Sequence, residues 1–211
     1  MMELEGTCKP EFQGLRRTFS ENFSHYVLGA RDADLLRWVP QILNPESELV
    51  IRLFGQQSEE LKRVYRPIPS DPLATRQPDY FRSVIPSMNG ISNAAGIARL
   101  FAPLAFGGEF GGVRLFSSKT LALATKEQWH YPDPIFGDDF RCGMGLLLTT
   151  PFSDFGREGN FGSAGAGGYT VFADPENRLC FAYTPNRFTT GKGLGDESRR
   201  LVRSLYECLA S

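Results

Sequence analysis

The chain is poor in the residue types on which metal and thiol chemistry depend. It has two histidines, His25 and His130, and four scattered cysteines, Cys8, Cys142, Cys180 and Cys208. They form no close ligand pair, so no zinc centre is expected. The cysteines read as free thiols in a reducing compartment. Net charge is almost absent as well: 23 basic against 24 acidic residues leave -1, without the basic footprint of a nucleic-acid binder. No apolar run approaches the ~20 residues a membrane helix needs. The opening "MMELEGTCKPEFQG" lacks the apolar core of a secretory signal. These absences point to an intracellular, cytoplasmic protein with no metal, no cofactor, and neither nucleic acid nor membrane as partner.

What is present is an ordinary globular composition. Of 211 residues, 41% are hydrophobic and 22% charged, enough to bury a substantial core. Leu35, Leu36, Val39, Ile42 and Leu43 make one stripe of a helix from Asp32 to about Leu43, with Pro45 past its end. "ELVIRLFGQ" has the character of a short strand. Residues 66–90 hold five prolines and few periodic apolar positions, and read as a long irregular loop. In "SNAAGIARLFAPLAFGG" the signals are a serine N-cap at Ser92, a stripe of Ile97, Leu100, Phe101, Leu104 and Ala105, an internal kink at Pro103 and a stop at Gly107. A second helix is predicted over about Lys119–Gln128, capped by Ser117 or Ser118.

Three strands are predicted over about 143–149, 167–174 and 178–185. The last two are joined by "DPEN" (174–177), whose turn chemistry makes an antiparallel hairpin. "DESRRLVRSLYECLA" is an amphipathic helix with Leu201, Leu205 and Leu209 on its apolar stripe. Mixed helices and adjacent antiparallel strands define an α+β fold.

The densest local signal is "NFGSAGAGGYTVFADPENRLCFAYTPNR" (160–187), with glycines at 162, 165, 167 and 168 around Ser163. Spacing excludes several chemistries. Phe161 stands where a Gly-x-Ser-x-Gly nucleophile elbow needs glycine. Counting from Gly165, a Gly-x-Gly-x-x-Gly fingerprint would end at Thr170. "GKG" at 191–193 lacks the hydroxyl of a phosphate-binding loop. The glycines also admit a purely structural reading, as positions of unusual backbone angle and close strand approach. Ser117-Ser118-Lys119-Thr120 reads as a helix cap, and Asp138-Asp139 as a cation site or a solvated pair.

In order along the chain, the landmarks resemble the serine beta-lactamase-like hydrolases. That family includes class C beta-lactamases, penicillin-binding proteins and family VIII carboxylesterases. "PSMNGISNAAGIARLFAPLAFGGEFGGVRLFSSKTLALAT" (86–125) is similar to their Ala-Arg-Leu…Gly-Gly helix, the Gly-x-Arg-Leu-Leu-Ser segment after it, and the next helix. "FADPENRLCFAYTPNR" is similar to their Phe-Ala-Asp-Pro strand and the Tyr-x-x-Asn-Arg strand that follows. "RRLVRSLYECL" and "YVLGARDADLLRWVP" fit as well. The resemblance runs from about residue 26 to the end. It implies one partial domain over 1–211, the C-terminal part of a beta-lactamase/transpeptidase-like fold, with an antiparallel sheet flanked by helices.

The resemblance also implies a site, and several of its parts are missing. No serine is followed three residues later by lysine, so the family's Ser-x-x-Lys is absent, and no tyrosine begins a Tyr-x-Asn. The triplet aligned with Lys-Thr-Gly or His-x-Gly is Ser163-Ala164-Gly165. Ser163 is therefore the one hydroxyl candidate on the strand bordering the site. Gly165 and Ala166 are expected to offer backbone N–H groups in the manner of an oxyanion hole. Three readings follow: a non-catalytic or truncated relative of serine esterases and amidases; an active esterase using Ser163; or a binding module pairing with another chain or itself. A small acyl ester or amide is the ligand implied.

Overall fold

The hairpin turning on "DPEN" forms one end of the main sheet among the described residues. It is seen in a computed structural model that describes residues 78–82, 84, 90–132, 138–165, 167–186 and 195–210. The helix expected at 32–43, the segment "ELVIRLFGQ", His25, Ala166 and Lys192 lie outside the described residues. Thr170–Asp174 (β7) and Leu179–Tyr183 (β8) pair antiparallel in the register Thr170↔Tyr183 to Asp174↔Leu179. The turn closes because the Asp174 carboxylate accepts from the Asn177 backbone N–H at 3.0 Å and its side-chain amide at 2.7 Å. Arg178 completes it in the left-handed region, at φ 51°.

Among the described residues the hairpin belongs to a six-stranded antiparallel sheet whose neighbouring strands follow one another in chain order, β8 being last. The other strands are Trp129–Pro132 (β3), Asp139–Cys142 (β4), Leu147–Leu148 (β5) and Phe161–Ala164 (β6). The sequence signalled only part of this. The strand expected over 143–149 shrinks to Leu147–Leu148, because 143–145 form the bend that returns from β4. β3 and β4 carry charged, aromatic and proline residues without clean alternation, so no period revealed them.

One helix on each side covers much of the sheet. Ala94–Ala105 (α2) puts Leu104 and Ala105 against Leu121, Leu148, Phe161 and Ala173, with Phe101 packed alongside. Its N-cap is Asn93, whose side chain accepts from the Gly96 N–H at 2.8 Å, one residue later than the serine expected. Leu100, placed on the buried stripe from sequence, is 59% exposed. Pro103 lies in the last turn, and the helix ends two residues after it.

Beyond α2, Glu109–Phe110 (β1) and Val113–Arg114 (β2) make a small hairpin. Gly111 and Gly112 turn it at φ +58° and +79°, angles that demand glycine. Ser118–Thr125 (α3) is capped by Ser117, which accepts from the Thr120 N–H at 3.0 Å. It stops short of the expected Gln128, whose N–H donates to the Cys142 carbonyl instead. Gly195–Leu209 (α4) crosses the opposite face, burying Leu201, Val202 and Leu205. Pro78–Arg82 (α1), one short helix, lies inside the stretch expected to be irregular.

Candidate functional site

β6 carries the candidate residues, and its two halves have different surroundings. Phe161 and Gly162 are paired on both sides, with Leu148 and Leu147 of β5 and with Ala173 and Phe172 of β7. Ser163 and Ala164 have ladder partners only in β7, Val171 and Thr170. β5 begins only at Leu147, too late to reach them, so among the described residues an internal strand has a local edge over its last two residues. Gly162 permits the close packing below that edge: a Cβ there would collide with the Val171 carbonyl and the Phe172 backbone.

The backbone beyond Ala164 is already committed. The Gly165 N–H donates to the Tyr169 carbonyl at 3.3 Å, and the Gly168 N–H to the Gly165 carbonyl at 3.0 Å. The Gly165 N–H, expected from sequence to be open, is spent closing the β6–β7 connection. Hydrogen-bonded rungs alternate along an antiparallel pair, so the N–H and C=O of Ala164 are the groups aimed at the open side.

Ser163 is half-buried, and its Oγ lies 3.0 Å from the Tyr169 hydroxyl. Either oxygen is able to donate. Among the described residues this neutral hydroxyl is the only side-chain partner of Ser163. The Tyr169 ring also lies over Gly165: a Cβ at Gly165 would sit 2.5 Å from Tyr169 Cε1 and 3.0 Å from its hydroxyl oxygen. A tyrosine thus fills the space that the missing Gly165 side chain leaves, a cross-strand pairing of aromatic and glycine.

With this geometry the chain can be set beside known proteins. The family model described as Beta-lactamase matches residues 33–204. The chain belongs to the beta-lactamase family. Esterase/beta-lactamase LipL of Mycobacterium tuberculosis (strain ATCC 25618 / H37Rv) is 31% identical over 107 residues, 49% of this chain and 24% of LipL. A crystal structure of a family VIII carboxylesterase matches with TM-score 0.62 and 28% identity, over 70% of this chain and 39% of that one. A penicillin-binding-protein homologue from Caulobacter crescentus gives TM-score 0.65 and 27% identity, over 74% of this chain and 42% of that one. The chain therefore spans about a quarter of the curated relative and about two fifths of the solved ones.

In this member of the beta-lactamase family, the strongest polar cluster lies on the α4 face of the sheet, away from Ser163. The Tyr206 hydroxyl donates to the fully buried Asp174 carboxylate at 2.6 Å, and the Asn160 amide donates to Tyr206 at 2.6 Å and to the Phe155 carbonyl at 2.8 Å. Burial pushes the Asp174 carboxyl up. The hydrogen bonds from Tyr206 and Asn177, with the nearby Arg157, outweigh burial and hold it below its ordinary value. Burial and then the Asp174 hydrogen bond push the Tyr206 phenol well above its own. Arg157 is in turn ion-paired with Glu176. This network ties α4 to the β7–β8 turn and to Asn160, the residue preceding β6.

Other candidates have structural roles. Burial pushes the Cys180 thiol up to about 12, which removes it as a nucleophile; its Sγ lies 3.3 Å from the Ala98 carbonyl. His130 Nε2 is 2.9 Å from Asp139 in an exposed pair between β3 and β4. Among the described residues no three metal-ligating side chains cluster, and no helix is long and apolar enough to cross a membrane. Sequence reasoning missed Tyr169 as the partner of Ser163. The signal was its place directly after Gly167-Gly168, which folds it back toward β6.

Proposed function

We propose that this chain is a non-hydrolytic member of the beta-lactamase family that keeps an acyl-binding strand end and lacks the proton-transfer groups of a serine hydrolase. One observation carries the reading: the Ser163 hydroxyl is hydrogen-bonded to another neutral hydroxyl, that of Tyr169, at 3.0 Å. A serine becomes a nucleophile when a base within hydrogen-bond reach takes its proton. Among the described residues no lysine, histidine or carboxylate reaches it. The sequence likewise contains no Ser-x-x-Lys or Tyr-x-Asn.

The ligand class is a small neutral ester or amide. Its recognition would use Ser163 Oγ and the outward backbone of Ala164. Residues 1–211 form one partial domain in this reading, consistent with the share of the solved relatives that the chain spans. Self-association, or pairing with another chain, belongs to the same reading. The test is turnover of nitrocefin and of short-chain p-nitrophenyl esters by the full chain. No rate above buffer is expected for wild type or Ser163→His. A wild-type rate abolished by Ser163→Ala would overturn the proposal and make Ser163 the nucleophile.

A further inference from the structure

The Tyr169 side chain engages one of the groups that a ligand at the end of β6 would use and lies beside the other. Its hydroxyl engages Ser163 Oγ at 3.0 Å, and its ring lies over Gly165, the residue after the open rung at Ala164. The backbone contact that closes this connection, Gly165 N–H to the Tyr169 carbonyl, does not involve the side chain. The ring can therefore swing about its Cα–Cβ bond without breaking the hairpin. Tyr169 is only half-buried, so part of its side chain meets solvent, and Gly167 and Gly168, both at φ +91°, precede it.

We propose that Tyr169 is a gate over the Ser163–Gly165 end of β6: closed, it caps the serine hydroxyl and covers the glycine, and a neutral acyl ligand enters only when the ring has swung out. The occupant is uncharged because the groups it would meet, the Ser163 hydroxyl behind the ring and the Ala164 peptide beside it, are neutral, while a carboxylate seeks a cation. This inference rests on the acyl-binding reading of the strand. Apparent affinity and reactivity both scale with the open fraction, so removing the ring should raise both.

The gate is tested without any ligand by replacing Ser163→Cys in the full chain. Alkylation at position 163 by iodoacetamide is then followed by peptide mass spectrometry in three backgrounds. With Tyr169→Ala the rate should rise by about tenfold or more over that with Tyr169. With Tyr169→Phe, which keeps the ring over Gly165, it should rise by less than about threefold. Equal rates in the tyrosine and alanine backgrounds would overturn the gate. So would a phenylalanine background as fast as alanine, since the ring would then cover nothing. Unfolding midpoints of all three establish that they are folded, and the phenylalanine background carries the test if alanine is not: a fall in rate below that with Tyr169 also counts against the gate.

The acyl reading is tested separately. N-acetylglycine methyl ester is titrated against chains carrying native Ser163, following the Ser163 and Ala164 amide resonances. Binding about tenfold tighter to Tyr169→Ala than to wild type supports gate and ligand class together. Equal binding overturns the gate and leaves the ligand class standing. No binding by either, with the alkylation difference present, overturns the ligand class and leaves the gate.

Discussion

The two faces of the six-stranded sheet are closed in different ways. On the α4 face, Phe172 stacks with Phe155, Phe181 and Tyr206 at ring-centroid distances of 5.6, 5.3 and 6.5 Å, and Tyr206 also closes the Asp174 network. On the α2 face the contacts come from Leu104, Ala105, Leu121, Leu148 and Phe161, with Phe101 and Phe106 alongside and no comparable polar network among the described residues. Beyond them Phe110, Val113, Leu115 and Phe116 of the small hairpin region stand exposed, as do Leu100 and Leu123. One face joins packing to directional bonds, whereas the other ends in apolar side chains that contribute little burial. The difference teaches that hydrophobicity in this sequence does not by itself mark the core. What marks it is the availability of a covering element.

The largest effect should come from the α4 face. Phe172→Ala removes a fully buried ring from β7 and should cost about 3–5 kcal/mol in urea unfolding. A loss below about 1 kcal/mol would mean that α4 is not holding this face, and the contrast between the faces would collapse.

A smaller effect should follow from Tyr206→Phe. It keeps the ring but leaves the buried Asp174 carboxylate without one donor, at a cost of about 1–3 kcal/mol near neutral pH. The sign of the pH dependence is fixed by the direction of the Asp174 shift. A carboxyl held below its ordinary value stabilises the fold fully above that value, and the contribution is lost as pH falls through the folded value. In Tyr206→Phe the folded value climbs, because burial persists while one donor is gone. Acid unfolding should therefore begin at higher pH than in wild type, and the two should converge in strong acid. Parallel acid curves would remove Asp174 from the account.

The smallest effect on stability should come from the exposed hairpin. Val113→Ser combined with Leu115→Ser should move stability by no more than about 0.5 kcal/mol, while lowering the fluorescence of an apolar dye bound to the native protein. A larger loss, or unchanged dye binding, would show that these residues already pack against something and that the α2 side is no more open than the other.

Much of this arrangement was legible in the residues. "DPEN" gave the β7–β8 hairpin, and the stripe of Leu201, Leu205 and Leu209 gave α4. The ordered landmarks from "AGIARLF" to "FAYTPNR" carry the resemblance to the family that the family model confirms. The less visible parts share one physical cause, in that their partners are remote in sequence. Arg141 of β4 is held by Glu127 and Glu158, and Gln128 pairs with Cys142; neither contact leaves a periodic trace. Leu100 fits a helical stripe, yet it is exposed because no described element covers that side of α2.

The sequence by itself determined the α+β class, the family and the absence of Ser-x-x-Lys and Tyr-x-Asn from these 211 residues, because local turn chemistry, periodicity and motif spacing are properties of neighbouring residues. Tertiary structure alone decided the state of the candidate strand. β5 starts only at Leu147, so β6 has an open rung at Ala164, and the β6–β7 connection folds Tyr169 back onto Ser163 and Gly165. Where a strand ends, and which hydroxyl meets which, depend on three strands closing at once, and no window of one strand contains that information.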